Sequence, residues 1–422
     1  MCHTQKKEQR FNTKCAVVGE GLWGIGLALV APATVLTVLL RQCGASKAMV
    51  GSISAIEGGG SLLPQLIGLY IFTSVRKRKR QLLLWHLLWL IPCLLLPGAV
   101  LLVGKGLSPA LLRWCTLMCY LAFVIGGGIV TAAWMDWMAH LFPANTRGKA
   151  IGLAWGASFL AGTGGAIVAG RLIRSAADTA IFGWLYLSAG ILLTLSITTF
   201  WLVKDPATHE TQDTARLGTR DLLARFTHSL RDRNFRAFLI GRILATSGFC
   251  IVPFIAVYYT SPVGGGLNNG TIVSLGAAMT LGTAAAMYAL GWIGDRFGHR
   301  AGILCGAAAQ VATLTVMLSS SGAASCAAAY AMAGIVIGSA FISHFNMMFE
   351  TCPHDHRMAH ITVGNMVLGV NVIIMPLLAG VAAERWGERP VFWVCLALSS
   401  LALLWFLARV REPRTISLGP SE

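Results

Sequence analysis

Apolar runs long enough to cross a hydrocarbon core recur from Val17 to Val410, separated only by short polar breaks. Such a core is about 30 Å thick and takes roughly 20 helical residues to span. Backbone that cannot reach water must satisfy its own hydrogen bonds, so each run has to be a helix. With hydrophobic residues at 55% and charged residues at 12% of 422, there is more apolar side chain than a soluble core absorbs. The expected fold is an all-α membrane protein with spans at 17–41, 47–74, 81–103, 109–140, 146–173, 180–203, 235–260, 267–294, 300–321, 322–351, 357–384 and 389–410. Only Ser319 to Gly322 punctuates the ninth and tenth of these.

The formal charge of +16 has a pattern that argues for a membrane surface and against nucleic acid. No basic face with interleaved aromatics occurs, which base recognition would need. The cations fall in alternate loops: Lys6, Lys7, Arg10 and Lys14 before the first span, Arg76 to Arg80, Arg147 with Lys149, Lys204 to Arg236, Arg296 with Arg300, Arg357, and Arg409, Arg411 and Arg414 after the last. By the positive-inside rule both termini are cytoplasmic and the number of crossings is even. Arg41, Lys47, Lys105, Arg171, Arg174, Arg385 and Arg389 run against this pattern. The first apolar run is too long for a signal peptide and lacks a small-residue cleavage site, so it should remain as a span. No secretion or organelle address is visible, and the cytoplasmic (inner) membrane is the expected location. Eleven cysteines are scattered, mostly through apolar helices and without zinc or redox spacing, and read as small buried hydrophobes.

The sequence repeats. Trp134 to Asp136, Pro143 and Arg147 through Gly170 run parallel, at an offset of 210 residues, to His344 to Asn346, Pro353 and Arg357 through Gly380. Met138/Met348, Ile151/Ile361 and Ala169/Ala379 match at the same offset, and Pro32 has a counterpart in Pro253. A parallel duplication of six spans implies two pseudo-symmetric six-helix bundles, 1–203 and 235–422. The polar stretch 204–234 between them carries Leu217, Leu222, Leu223, Phe226 and Leu230 among arginines, the pattern of an amphipathic helix on the cytoplasmic leaflet.

The segment from Gly291 to Arg300, with Asp295 and Arg296 followed by Gly298 and basic residues, resembles the cytoplasmic loop signature of the major facilitator superfamily. It lies between the eighth and ninth expected spans, as it should, and the resemblance covers nearly the whole chain. It implies a secondary active transporter of twelve spans working by alternating access, with the signature aspartate near the start of a helix in the opposite half, here Thr146 to Gly148. Gly291, Asp295, Arg296, Gly298 and Arg300 would then belong to a conformational gate. The matching loop of the first half, Thr73 to Arg80, has cations and no aspartate. Trp134, Asp136, Pro143 and Arg147 look like a subgroup of bacterial members. The fifth span, with Gly152, Gly156, Gly162, Gly164, Gly165 and Gly170, resembles the glycine-rich fifth helix of proton-coupled exporters without its Gly-Pro core, which tilts the expectation toward export.

An ionised carboxylate at the bilayer centre costs about 2.5–3.5 kcal/mol, so an acid in a span must face a cavity, find a partner or take up a proton. Glu57 lies about 15 Å beyond Lys47 along a helix, near the midplane, and Gly58, Gly59 and Gly60 after it leave room for a neighbouring backbone. It is the candidate proton-coupling or cation-recognising acid, with a structural Glu57 as the competing reading. Asn371 reaches a similar depth, and the resemblance puts the second and eleventh helices side by side. Glu20, in the first span, and Arg242, at nearly the equivalent place in the seventh, are candidates for a pair that gates, against simple snorkelling. Asp136 and Asn346, equivalent by the repeat, and Arg147 and Arg357 stand near cytoplasmic helix ends, where switching competes with capping.

Met347, Met348, Cys352, His354, His356, Met358 and His360 would suit a soft metal ion, without fixed ligand spacing. Trp85, Trp89, Trp114, Trp184 and Trp201 read as interface anchors. There is no phosphate-binding Gly-x-x-x-x-Gly-Lys loop for an ATP-driven pump and no catalytic constellation at a common depth, so an enzyme is not expected. The expectation is a monomeric transporter of a small solute, working with protons in a lipid bilayer, without cofactor or nucleic acid. A facilitator-like sensor or scaffold and a soft-metal-ion transporter stay open.

Overall fold

A computed structural model describes residues 3–72, 78–104, 106–142, 144–175, 178–205, 232–351 and 357–413. Most of the expected amphipathic linker lies outside them. Among the described residues the protein is built from helices without strands. Eleven helices are long and apolar enough to cross a membrane: Lys7–Gln42, Arg78–Val103, Pro109–Met138, Gly148–Ser175, Ala180–Trp201, Arg233–Thr260, Asn269–Phe297, His299–Ser319, Gly322–Met348, Val367–Trp386 and Glu388–Arg409. The expected second span is a broken helix, Lys47–Leu62 followed by Gln65–Ile71, with Pro64 at the join. Proline has no N–H to donate to the preceding turn, which interrupts the helical hydrogen bonding there. With this pair the spans number twelve, in the expected order, and Ser320 and Ser321 do separate the ninth from the tenth.

Helix ends differ from expectation where polar residues extend an apolar run. The first helix begins at His3, because Lys6 to Lys14 continue its turns outside the apolar stretch. It then reorganises at Pro32, which opens a π-helical turn over Pro32–Leu36. Two further π turns, His86–Leu90 in the third span and Ala340–His344 in the tenth, each carry a histidine. Such widened turns gather at functional sites.

By packing, the chain forms two units: Met1–Ser46 with Ile56–Gln212 and Leu267–Ala277, and Lys47–Ala55 with Asp213–Gly266 and Ala278–Glu422. In the first unit the first span packs on the fifth and sixth, and the third on the sixth. Gly24 lets the first span meet the fifth at close range, since a Cβ there would stand 2.0 Å from Ser158 O. In the second unit the seventh span packs on the eleventh and twelfth, and the ninth on the tenth and twelfth.

Each unit also takes in the first turns of a helix from the other sequence half. Asn269–Leu275 lies against the fifth span, where a Cβ on Gly170 would come 2.1 Å from Ser274 Oγ and one on Gly270 would come 2.5 Å from Gly170 O. Correspondingly, Lys47–Ala55 lies against the eleventh, where a Cβ on Gly51 would come 2.4 Å from Pro376 O and one on Gly380 would come 2.9 Å from the Ala48 Cα. Lys47 strengthens that crossing, its backbone N–H donating to Glu384 Oε2 at 2.5 Å and its Nζ pairing with Glu388 at 2.9 Å. Small residues let helix backbones approach without lipid between them, which fixes both crossings.

Candidate functional site

In the first unit the spans leave a cavity of about 270 Å³ with Glu20 in its wall. Glu20 is only 9% exposed, yet among the described residues it accepts no hydrogen bond and meets no cation. Lys14, six residues back along the helix and exposed, stands about 9 Å away in rise, and Glu20 lies three residues past Val17, in the first turn of the apolar run. Aromatic side chains make much of the remaining wall: Trp23, Phe123, Trp134, Trp155 and Phe200. Trp134 is held in place by Phe200 at 4.8 Å and His86 at 5.0 Å between ring centres. His86, buried on its π turn, donates Nδ1–H to Leu82 O at 2.7 Å, leaving Nε2 of the neutral ring as an acceptor. Thr131 and Met135, both exposed, also line it.

Glu57 stands on the second span, part of the same unit, one residue past the boundary that gives Lys47–Ala55 to the other. It is exposed despite its depth, and no described residue hydrogen-bonds or ion-pairs with it. The Tyr120 hydroxyl lies within electrostatic reach and is itself buried, with no hydrogen-bond partner among the described residues. The glycines after Glu57 do admit a neighbour: a Cβ on Gly128 of the fourth span would come 2.4 Å from Gly60 O.

The candidate gate residues have different surroundings. Asp136 pairs with Arg78 of the third span and lies 3.6 Å from His140, whereas its repeat equivalent Asn346 donates back to Ile342 O of its own helix at 2.9 Å. Arg147 and Arg357 sit at the first turns of the helices Ala144–Ser175 and Arg357–Trp386. In the signature, Gly291 is half-buried and Asp295 exposed, and Arg296 lies over Trp292 and Phe297 at 5.7 Å from each ring. Gly298 turns the chain at φ +91°, and the space a Cβ would take there is filled by the Glu412 carboxylate. Glu412 accepts from Arg300 N at 2.9 Å, capping the ninth helix, while Arg300 Nη2 donates to Leu407 O at 2.8 Å. Sequence reasoning missed Glu412, whose one signal is an acid directly after the last apolar run.

Arg242 belongs to the second unit, its guanidinium 5.8 Å from the Phe238 ring and within reach of His344, with no acidic partner among the described residues. Asn371 is turned to helix packing: Nδ2 donates to Thr246 Oγ1 at 2.7 Å and to Ile243 O at 3.2 Å, and Oδ1 stands 3.1 Å from Ser247 Oγ. All three partners are on the seventh span.

Of the soft-metal candidates, Met347 and Met348 are packed in the apolar core of the second unit, and Cys352, His354 and His356 lie outside the described residues. No group of three metal-binding side chains occurs among the described residues. Trp85 and Trp89 stack at 5.1 Å and donate to Gly126 O and Ala122 O, tying the third span to the fourth. Trp114, Trp184 and Trp201 are exposed, as anchors in lipid would be.

Solved transporter structures share this arrangement of helices. A bacterial homologue of the human lysosomal transporter Spinster matches with a TM-score of 0.66 at 13% identity, over 100% of this chain and 99% of its own. A D-xylose–proton symporter matches with a TM-score of 0.66 at 16% identity over 95% and 98%, and the nucleoside transporter NupG with 0.64 at 13% over 95% and 98%. These likenesses establish the fold. No curated protein matches the chain. The sequence itself matches the profile of the Major Facilitator Superfamily over residues 17–277 and 237–421, which together cover nearly all of it. The chain is a transporter and not an enzyme, and it belongs to the major facilitator superfamily.

Proposed function

We propose that this transporter couples the movement of a small solute to a proton gradient by alternating access, with Glu57 as the acid that takes up and releases the proton. The observation that carries the reading is Glu57 itself: a carboxylate ten residues into a membrane-spanning helix, exposed, and without a cation among the described residues. A lone acid at that depth is stable only while hydrated or protonated, and alternation between the two is what coupling requires. Tyr120 beside it offers a hydroxyl to pass or hold that proton. Proton coupling in a D-xylose symporter of the same fold is consistent with this reading.

The favoured direction is export, on the glycine-rich character of the fifth span. The alternating loop charges favour cytoplasmic termini and the cytoplasmic membrane, and a monomer suffices for the mechanism. Solute-induced proton flux in proteoliposomes tests the proposal, with wild type and Glu57→Gln in parallel. Flux in the wild type that disappears in the variant supports it. Equal flux removes Glu57 from the coupling step, and ligand binding without any gradient-driven accumulation turns the reading to a sensor.

A further inference from the structure

We infer that the cavity around Glu20 is a binding site for a small organic cation, which, resting on the transporter reading above, is the cargo or belongs to its class. Among the described residues of the wall, Glu20 is the one acid, and no lysine or arginine lines the cavity. Once ionised, a carboxylate 9% exposed and, among the described residues, without a donor or cation is costly unless a cation entering the cavity compensates it. The other polar side chains lining the cavity favour the same occupant. His86 spends Nδ1–H on Leu82 O and presents an acceptor, and Thr131 spends its hydroxyl hydrogen on Gly127 O at 2.6 Å, leaving lone pairs. Indole N–H groups are the remaining donors.

The apolar wall suits the same occupant. Trp23, Trp134 and Trp155 supply the ring type that attracts cations most strongly, and aromatic walls with a nearby anion recognise ammonium groups by charge and ring quadrupole together. Trp134 is already fixed by its contacts with His86, Trp137 and Phe200, so the wall needs little ordering on binding. A hard metal ion would find too few oxygens here, since Glu20 and Thr131 are the only oxygen-bearing side chains in the wall. A volume of about 270 Å³ is just below the usual range for small-molecule sites, which fits a monocation of modest size.

The test is equilibrium binding of radiolabelled benzyltrimethylammonium to the purified full-length protein in detergent, with N,N-dimethylbenzamide and benzoate as neutral and anionic competitors of similar size. The expected result is saturable binding that neither competitor displaces, weakened at least tenfold by Glu20→Gln and retained in part by Glu20→Asp. Trp134→Leu should weaken it as well, and unchanged thermal unfolding of Glu20→Gln separates loss of binding from loss of fold. Equal displacement by the neutral compound, or unchanged affinity in Glu20→Gln, would overturn the inference. Vesicle uptake is scored separately. Binding that persists while vesicles accumulate nothing leaves the site standing and removes the transporter reading. Accumulation of an anion or neutral solute with no binding of benzyltrimethylammonium does the reverse.

Discussion

Asn12 and Lys204 exchange two hydrogen bonds, Asn12 Nδ2 to Lys204 O at 2.8 Å and Lys204 N to Asn12 Oδ1 at 2.9 Å. Asn234 and Arg411 repeat the same ring at 3.0 and 2.9 Å. In each half the ring ties the start of the opening span to the end of the closing one. It also sets the register of the repeat, for Glu20 follows Asn12 by the same number of residues as Arg242 follows Asn234. The duplication thus carries a carboxylate in one half and a guanidinium at the same place in the other.

The two rings should differ in strength. Asn12 is 4% exposed, whereas the Asn234 bonds are open to solvent. Asn12→Ala is expected to cost about 1–2 kcal/mol and Asn234→Ala less, because the Lys204 N–H and C=O that lose Asn12 lie in a part-buried contact, whereas those of Arg411 are open to water that replaces the lost partner. Unfolding by SDS in mixed micelles ranks the two, and an equal cost would show that burial does not govern the ring.

Glycine substitutions separate helix crossings from open positions. An alanine methyl at Gly170 would stand 2.1 Å from Ser274 Oγ and one at Gly51 would stand 2.4 Å from Pro376 O, while one at Gly152 has no atom within 4 Å. Gly170→Ala and Gly51→Ala should each destabilise by about 1–3 kcal/mol through overpacking. Gly152→Ala should be neutral or stabilising, by up to about 1 kcal/mol of helix propensity. Thermal unfolding in detergent reads all three.

These crossings show what the sequence made legible. The spans were readable because hydrocarbon thickness fixes their length, and Gly170 and Gly380 stood out as matched repeat positions before their partners were known. The partners were not readable: that Gly170 meets Gly270 and Gly380 meets Ala48 depends on which helix faces turn together. For the same reason Glu20 and Glu57 could be picked out as acids in apolar runs, while the aromatic wall gathered from four spans around Glu20 could not. Asn371 looked like a cavity residue by depth alone, but its hydrogen bonds are spent on the seventh span.

The Arg78–Asp136 pair links the third and fourth spans, with side-chain exposures of 14% and 46%. A double-mutant cycle with alanine at both positions is expected to give a coupling of about 1 kcal/mol or less, because the aspartate is screened by solvent. A coupling of several kcal/mol would mean that the pair closes away from water in the working protein.

Asp205, just past the sixth span, predicts a pH dependence. Burial pushes its carboxyl above the ordinary value, against the hydrogen bond from Trp137 and the charges of Lys79, His140 and Arg78. A folded state that holds this proton more tightly than the unfolded one gains stability that is complete below about pH 4, the unfolded value, and is lost as pH rises through the raised folded value. Asp205→Asn keeps an acceptor for the Trp137 indole, 3.4 Å away, and cannot ionise. Its unfolding temperature should therefore match the wild type near pH 4 and exceed it at pH 7, and a wild type more stable at pH 7 would reverse the sign.

Asn371→Leu distinguishes a fastening role from solute contact. The variant removes the donor to Thr246 and Ile243 and the acceptor beside Ser247. The expected cost is about 0.5–1.5 kcal/mol, the net worth of the lost interhelical bonds, because Thr246 and Ser247 keep hydrogen bonds to Arg242 O and Ile243 O within their own helix. A residue that only fastens helices should lower the folded fraction and leave the KM of the surviving transporter unchanged. Asn371→Asp, which retains the acceptor for Ser247 but not the donor to Thr246, should fall between. A changed KM with an undiminished folded fraction would instead place Asn371 in contact with the solute, and the hydrogen bonds to the seventh span would then have to open during transport.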